Sequence, residues 1–213
     1  MGSPEGRKTY HHGDLRTALL ASGLALLDTD GPEAVTVRAV AREAGVAHSA
    51  PANHFRDRAA LLGALAAGIF GELAIKVEKA LAAANQTRDT QLHAFAEVVM
   101  RYALRYPNRY SLLWRRDCFD VEQSGVEAAG TVLYDRVKAS LAKGDSNSKV
   151  SVETEVIAAW SLVHGYVSLR IQGTLIDGKD EISGMPRAAA IVDVLIAGLG
   201  GKRPGRGRRP TTV

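Results

Sequence analysis

The stretch "TVRAVAREAGVAHSAPANHF", residues 36 to 55, decides the fold of the N-terminal part of the chain. Thr36 is a good helix N-cap, and apolar side chains follow at positions 37, 40, 41 and 44, the spacing of one helix face. Gly45 ends this short helix, and Val46 supplies an apolar anchor in the turn. Pro51 would cost roughly 3 kcal/mol inside a helix but little in a first turn, so it marks a second helix starting near residue 47 or 48. This order predicts a helix-turn-helix.

The second predicted helix carries polar side chains on its outer face. These are His48, Ser49, Asn53 and His54. Their donors and acceptors suit base edges and phosphates, which favours contact with duplex DNA. The alternative is a surface helix that binds no partner.

The rest of the chain is predicted to be helical. Asp57 caps a long helix from Arg58 to about residue 84, and residues 121–141 are predicted as one helix containing two glycines. The predicted class is all-α: an N-terminal three-helix helix-turn-helix domain followed by a larger helical ligand-binding and dimerisation domain. The expected boundaries are a flexible arm over 1–12, the helix-turn-helix domain over 13–57, the helical regulatory domain over 58–200 and a basic disordered tail over 201–213.

The positive charge is concentrated at the C-terminus. Residues 202–213 hold five lysines or arginines and no acid, so within a net charge of +4 the remaining chain sums to −1. This tail is either a solvated, disordered end or a weak, sequence-independent contact with phosphates.

Composition indicates a cytoplasmic protein without metal or cofactor. Cys118 is the one cysteine, so no internal disulfide forms, and the N-terminus lacks the apolar core of a signal peptide. The longest run without a charge or a strong polar group, 59–71, has 13 residues, fewer than the ~20 that span a bilayer. His11 and His12 are adjacent, but such pairs are more often incidental than metal ligands. Paired carboxylates, a nucleophile with its base and a phosphate loop are missing from the sequence, so we expect no enzyme.

Aromatic side chains in the middle of the chain indicate a small-molecule pocket. The candidate ligand-binding residues are Tyr102, Tyr106, Tyr110, Trp114, Phe119, Trp160 and His164. Aromatics on such a stripe are more often plain core than ligand contacts, and a histidine such as His164 is more often a satisfied core residue than a ligand donor. The helix from Val152 has two uncharged faces, and the last helix is largely apolar, which favours pairing of these two helices with a second copy.

The segment "VRAVAREAGVAHSAPANHFRDRAALL", residues 37–62, resembles the DNA-binding signature of TetR-type transcriptional regulators. The resemblance lies in the spacing of 44–46 (Ala-Gly-Val), 54–55 (His-Phe), Arg58 and Leu61. The stretches "YHHGDLRTALL" (10–20) and "WSLVHG" (160–165) resemble one branch of the family, which has a Trp-His-Gly pattern in the C-terminal domain. One position departs from the family pattern: Ala52 replaces a tyrosine that contacts a phosphate, so one backbone contact is lost.

The resemblance implies a ligand-responsive regulator that binds a palindromic operator as a homodimer, most often a repressor released by a small-molecule effector. Its last two helices would pair across a twofold axis. Phosphate contacts would come from Thr36 and Arg38, base contacts in the major groove from His48, Ser49 and Asn53, and further backbone contacts from His54 and Arg58. The alternative is a helical ligand carrier or enzyme whose helix-turn-helix is merely structural.

Overall fold

The computed structural model describes residues 12–143 and 150–200. Helices dominate, and apart from one isolated bridge between Lys179 and Pro186 no β-structure occurs in these ranges, which confirms the predicted all-α class. The basic tail, and the arm up to residue 11, lie outside the described residues. The helices are α1 (His12–Asp30), α2 (Val37–Glu43), α3 (Arg58–Ala83), α4 (Arg88–Arg105), α5 (Pro107–Trp114), α6 (Val121–Ser124), α7 (Val126–Leu141), α8 (Val152–Ile171) and α9 (Arg187–Gly198).

The chain divides into two compact units. The first comprises the chain up to Phe70 together with residues 106–129, so it holds α1, α2, the first half of α3, α5 and α6. Leu19 and Leu27 of α1 and Val40 of α2 are fully buried in its core. The apolar faces of α1 and α2 are therefore buried where these two helices pack on one another.

The second unit comprises residues 71–105 and the chain from residue 130 onward. Within it, α4 packs on α8 and α9. Phe95 of α4 meets Trp160 of α8 edge to face, with ring centroids 5.0 Å apart. Val163 and Val167 of α8 are fully buried, so one of the two uncharged faces of this helix forms core.

Two predicted helices differ in the structure. The predicted single helix over 121–141 is wrong, because Gly125 adopts a left-handed conformation (φ +74°) that ends α6 before α7 begins. The short helix predicted to start near residue 47 or 48 begins later, with a turn at His48 and Ser49 followed by a four-residue 3-10 helix, Ala50–Asn53. Pro51 lies in the first turn of this 3-10 helix, as predicted, and the Ser49 side chain makes no capping hydrogen bond there.

Helix α3 belongs to both units, with residues 58–70 in the first and 71–83 in the second. The predicted domain boundary at residue 58 divides the chain by role and stays a prediction.

By length and composition α3 could cross a membrane, since its most apolar 18-residue window has a mean hydropathy of 1.8. In the structure 56% of that window is buried inside the fold, as in the core helix of a folded domain.

Candidate nucleic-acid interface

The turn between α2 and the reading segment, which we define as residues 48–54, is fixed by local hydrogen bonds. The Thr36 hydroxyl accepts from the amide of Ala39 at 3.1 Å, which caps the first turn of α2. Gly45 adopts φ +67°, and the next amide, that of Val46, donates to the carbonyl of Ala41 at 3.0 Å. The cap and the turn thus set the direction in which the chain leaves α2.

The reading segment is held by apolar anchors and presents polar side chains outward. Pro51 is buried within it, and Phe55, which follows it, is only 3% exposed. Around these anchors, His48, Ser49 and Asn53 are exposed, as predicted for side chains that reach base edges. This arrangement can present three polar side chains from one short, fixed stretch of backbone.

His54 differs from the other polar side chains of the reading segment. It is half-buried, and its Nε2 atom is fully shielded from solvent without a hydrogen-bond partner among the described residues. A buried polar atom left without a partner costs about 1–3 kcal/mol. This nitrogen can therefore gain a hydrogen bond when another molecule reaches it.

The predicted phosphate contacts divide into exposed and internally bonded side chains. Thr36 and Arg38 are exposed at the start of α2. Arg58 instead turns inward: its Nε donates to the carbonyl of Val35 at 2.9 Å and its Nη2 to that of Pro32 at 2.6 Å. The same Nη2 lies 3.3 Å from a carboxylate oxygen of Glu33. We call these contacts the Arg58 clamp; they join the start of α3 to the connection before α2.

Sequence reasoning missed the Arg58 clamp, because its acceptors are main-chain carbonyls more than twenty residues away and no local pattern marks them. The predicted contact of Arg58 with the DNA backbone stays a prediction beside this structural role. The neighbouring cap is confirmed: Asp57 Oδ1 accepts from the amide of Ala60 at 2.7 Å. That amide hydrogen bond is the main cause that lowers the pKa of the Asp57 carboxyl, so it stays charged at the helix N-terminus.

The seven candidate ligand-binding residues do not fall in one unit. The second unit holds Tyr102, Trp160 and His164, and the Tyr102 hydroxyl donates to a carboxylate oxygen of Glu72 at 3.1 Å. Burial lowers the pKa of His164, which favours its neutral ring. These residues stay candidates for a ligand site.

The other four candidates lie in the first unit. Tyr110 and Phe119 are buried in its core, Tyr106 is half-buried and Trp114 is 43% exposed. Tyr110 packs edge to face on Trp114, with centroids 5.9 Å apart, and burial raises the pKa of its phenol. No group of three or more side chains of the metal-ligating types occurs in the part of the chain that the structure describes.

Two family profiles match the chain. Residues 19–65 match "Bacterial regulatory proteins, tetR family", and residues 92–198 match "Tetracyclin repressor-like, C-terminal domain". No curated protein matches the chain.

Solved structures share the fold. A protein of unknown function from Rhodococcus sp. RHA1 is 32% identical, with 91% of this chain and 99% of that chain covered and a TM-score of 0.74. The TetR family transcriptional regulator PfmR from Thermus thermophilus is 19% identical, with 87% and 99% covered and a TM-score of 0.61. RolR, solved in complex with resorcinol, is 13% identical, with 90% of each chain covered and a TM-score of 0.61.

Proposed function

Because the chain belongs to the TetR family of bacterial regulatory proteins, we propose that it binds a palindromic operator as a homodimer and releases it when a small molecule binds. The family consists of DNA-binding regulators, so the chain is a regulator of transcription rather than an enzyme. Since its target is DNA, we assign it to the cytoplasm. Within the family's range of roles, we assign it that of a repressor.

The observation that carries the proposal is the reading segment. His48, Ser49 and Asn53 are exposed beside two buried anchors, so their positions on the DNA are set by the fold. Base contacts determine sequence preference, while phosphate contacts determine register and overall affinity. Asn53 has the side chain best suited to an adenine edge, to which it can bond through two atoms.

A second copy is supported by the uncharged faces of α8 and α9. In α9 only Val192 and Ile196 are buried, although nearly every residue of the helix is apolar. Val194 is 73% exposed, and Ile157, on the second uncharged face of α8, is 53% exposed. A monomer rarely leaves such a surface in water, and a twofold partner with the same surface would cover it. Two reading segments would then meet half-sites separated by about 34 Å or a multiple of it.

The small-molecule response rests on the aromatic residues of the second unit and on α3. RolR, which shares the fold, was solved with resorcinol, and we propose an effector site of that general kind around Tyr102 and Trp160. Residues 71–83 of α3 belong to this unit. The same helix begins at Arg58, just after the reading segment. An effector that binds the DNA-free form better lowers operator affinity by a coupling of typically about 1–3 kcal/mol.

Selection of DNA from a random pool by the purified protein tests the DNA-binding proposal. We expect one palindrome, bound with an affinity that falls steeply with salt while its preference over other sequences persists. Asn53→Ala should flatten the preference at one base position in each half-site, by about 1–3 kcal/mol. A pool without enrichment would refute the proposal and would favour a carrier or an enzyme.

The dimer is tested by a matched pair of isoleucine variants. Ile157→Glu introduces a charge on the uncharged face of α8, and Ile75→Glu does the same at 51% exposure on α3. We expect the first variant to become monomeric in light scattering and to lose operator binding, and the second to remain a dimer. If both variants stay dimeric, the assigned interface is wrong.

A further inference from the structure

A pocket of about 340 Å³ lies within the first unit, and none of the seven aromatic and histidine candidates lines it. Its walls come from α1, from the end of the reading segment, from the start of α3 and from the region of α6. Apart from three alanines of α3, the lining residues that matter here are Arg16, His54, Phe55, Arg56, Asp120 and Ser124. We propose that this pocket binds a small organic acid, with the carboxylate at the arginines and the apolar body on the alanines.

The floor of the pocket exists because one face of α3 is built from small residues. Ala59, Ala60 and Ala64 lie on the first two turns of the helix and are each half-buried. Methyl groups leave the space open that longer side chains would fill, and together with the ring of Phe55 they form an apolar surface. The volume lies at the lower end of the range of small-molecule sites, so it suits a compact ligand.

The opposite wall is held closely against α3. A Cβ atom on Gly63 would lie 2.5 Å from the Cβ of Ser124, so α6 approaches the helix more closely than any other residue at position 63 would allow. Asp120 Oδ1 accepts from the amides of Glu122 and Gln123, at 3.1 and 3.2 Å. The fold therefore builds this wall without a ligand, and the Asp120 carboxylate is partly neutralised by helix amides.

Two arginines and one carboxylate, that of Asp120, line the pocket beside the apolar floor. The guanidinium of Arg16 lies over the ring of Phe55, 5.5 Å from its centroid, and no acidic side chain pairs with it among the described residues. Arg56 pairs with the neighbouring Asp57 at 3.0 Å, but that carboxylate also caps α3. The Nε2 atom of His54 is the unpartnered nitrogen described above. Guanidinium groups bind carboxylates through paired, charge-assisted hydrogen bonds, so an acid is the ligand class that these walls favour.

The site does not depend on operator binding or on the effector site proposed for the second unit. Ligand binding at this pocket can be measured on the full-length protein without DNA, by calorimetric titration with benzoate. Benzamide has nearly the same shape without the charge and serves as the neutral probe. We expect saturable binding of benzoate and none of benzamide.

Four variants locate the site. Arg16→Gln removes one guanidinium and should weaken benzoate by about tenfold or more. Ala64→Leu fills the floor and should abolish binding. Arg42→Gln and Ala82→Leu make the same changes at exposed positions outside the pocket and should leave the affinity unchanged.

Three results would overturn the proposal. They are an absence of benzoate binding to the wild type at the highest soluble concentration, equal binding of benzamide, and wild-type affinity in Arg16→Gln. The last measurement holds even if Ala64→Leu does not fold, because Arg16 is exposed at the surface of α1.

Discussion

Replacing Arg58 with alanine should destabilise the helix-turn-helix more than its position near the DNA-reading surface suggests. The side chain is 35% exposed, yet its guanidinium donates to two main-chain carbonyls, those of Val35 and Pro32. Val35 itself is fully buried, so its carbonyl has limited access to water once the arginine is gone. The connection between α1 and α2 then loses its link to α3.

The expected loss is about 2–3 kcal/mol. Hydrogen bonds from a charged donor contribute about 1.5–3 kcal/mol each when buried, and we take about 1 kcal/mol each because a third of this side chain is exposed. An unsatisfied carbonyl adds a fraction of its desolvation cost. The ion pair with Glu33, whose side chain is 74% exposed, contributes little. In a protein of this size the sum corresponds to a fall in Tm of about 5–10 °C.

Thermal unfolding followed by circular dichroism at the helix band measures this effect, with Arg56→Ala as the matched control. Arg56 is 62% exposed and, among the described residues, pairs with its neighbour Asp57 alone, so we expect its loss to leave the Tm unchanged. Arg58→Lys should recover part of the stability, because one ammonium group cannot reproduce the guanidinium fork. If the Tm of Arg58→Ala equals that of Arg56→Ala, the clamp does not stabilise the fold. A contact between Arg58 and the DNA backbone would appear separately, as equal weakening of all sequences.

Three further changes have defined outcomes. Glu155→Gln leaves buried Arg88 without its counter-charge, now held at 2.8 and 2.6 Å, and should lower the free energy of unfolding by about 3–5 kcal/mol in urea titrations; an unchanged midpoint would refute this. Gly63→Ala should cost about 1–3 kcal/mol by steric overlap, and adding Ser124→Gly should restore most of it; strict additivity would contradict the close approach. Because burial lowers the pKa of His164, the unfolded chain binds this proton more readily, so stability falls as the pH drops below about 6.5; His164→Gln should flatten that slope in unfolding curves measured at several pH values.

The helix-turn-helix could be predicted from sequence because its determinants are local. Thr36 caps a helix, Gly45 supplies the positive φ of the turn, and Pro51 cannot stand in a helix interior. Each of these constraints acts within a few residues, so the order of elements follows from the order of residues. The same locality explains why the cap by Asp57 could be predicted correctly.

Features that depend on distant residues could not be predicted in this way. The sequence pattern did not indicate that Tyr110 and Phe119 belong to the first unit while Tyr102 belongs to the second. The break at Gly125 was missed because a helix tolerates some glycines, and the sequence does not show which of them takes a positive φ. The Arg58 clamp was also missed, because its main-chain acceptors lie more than twenty residues away in the sequence.

The short reading segment has to obtain its rigidity from tertiary anchors. Its 3-10 helix has four residues, and few backbone hydrogen bonds hold such a turn, among them those from the amides of His54 and Phe55 to the carbonyl of Pro51, at 2.8 and 2.9 Å. The burial of Pro51 and Phe55 therefore fixes the backbone from which Asn53 reaches out. The family pattern has a tyrosine at the position of Ala52, so we expect less affinity from the DNA backbone at this point in the proposed complex. In that complex we expect discrimination between operators to depend more heavily on the few exposed polar side chains and on how firmly the fold holds them.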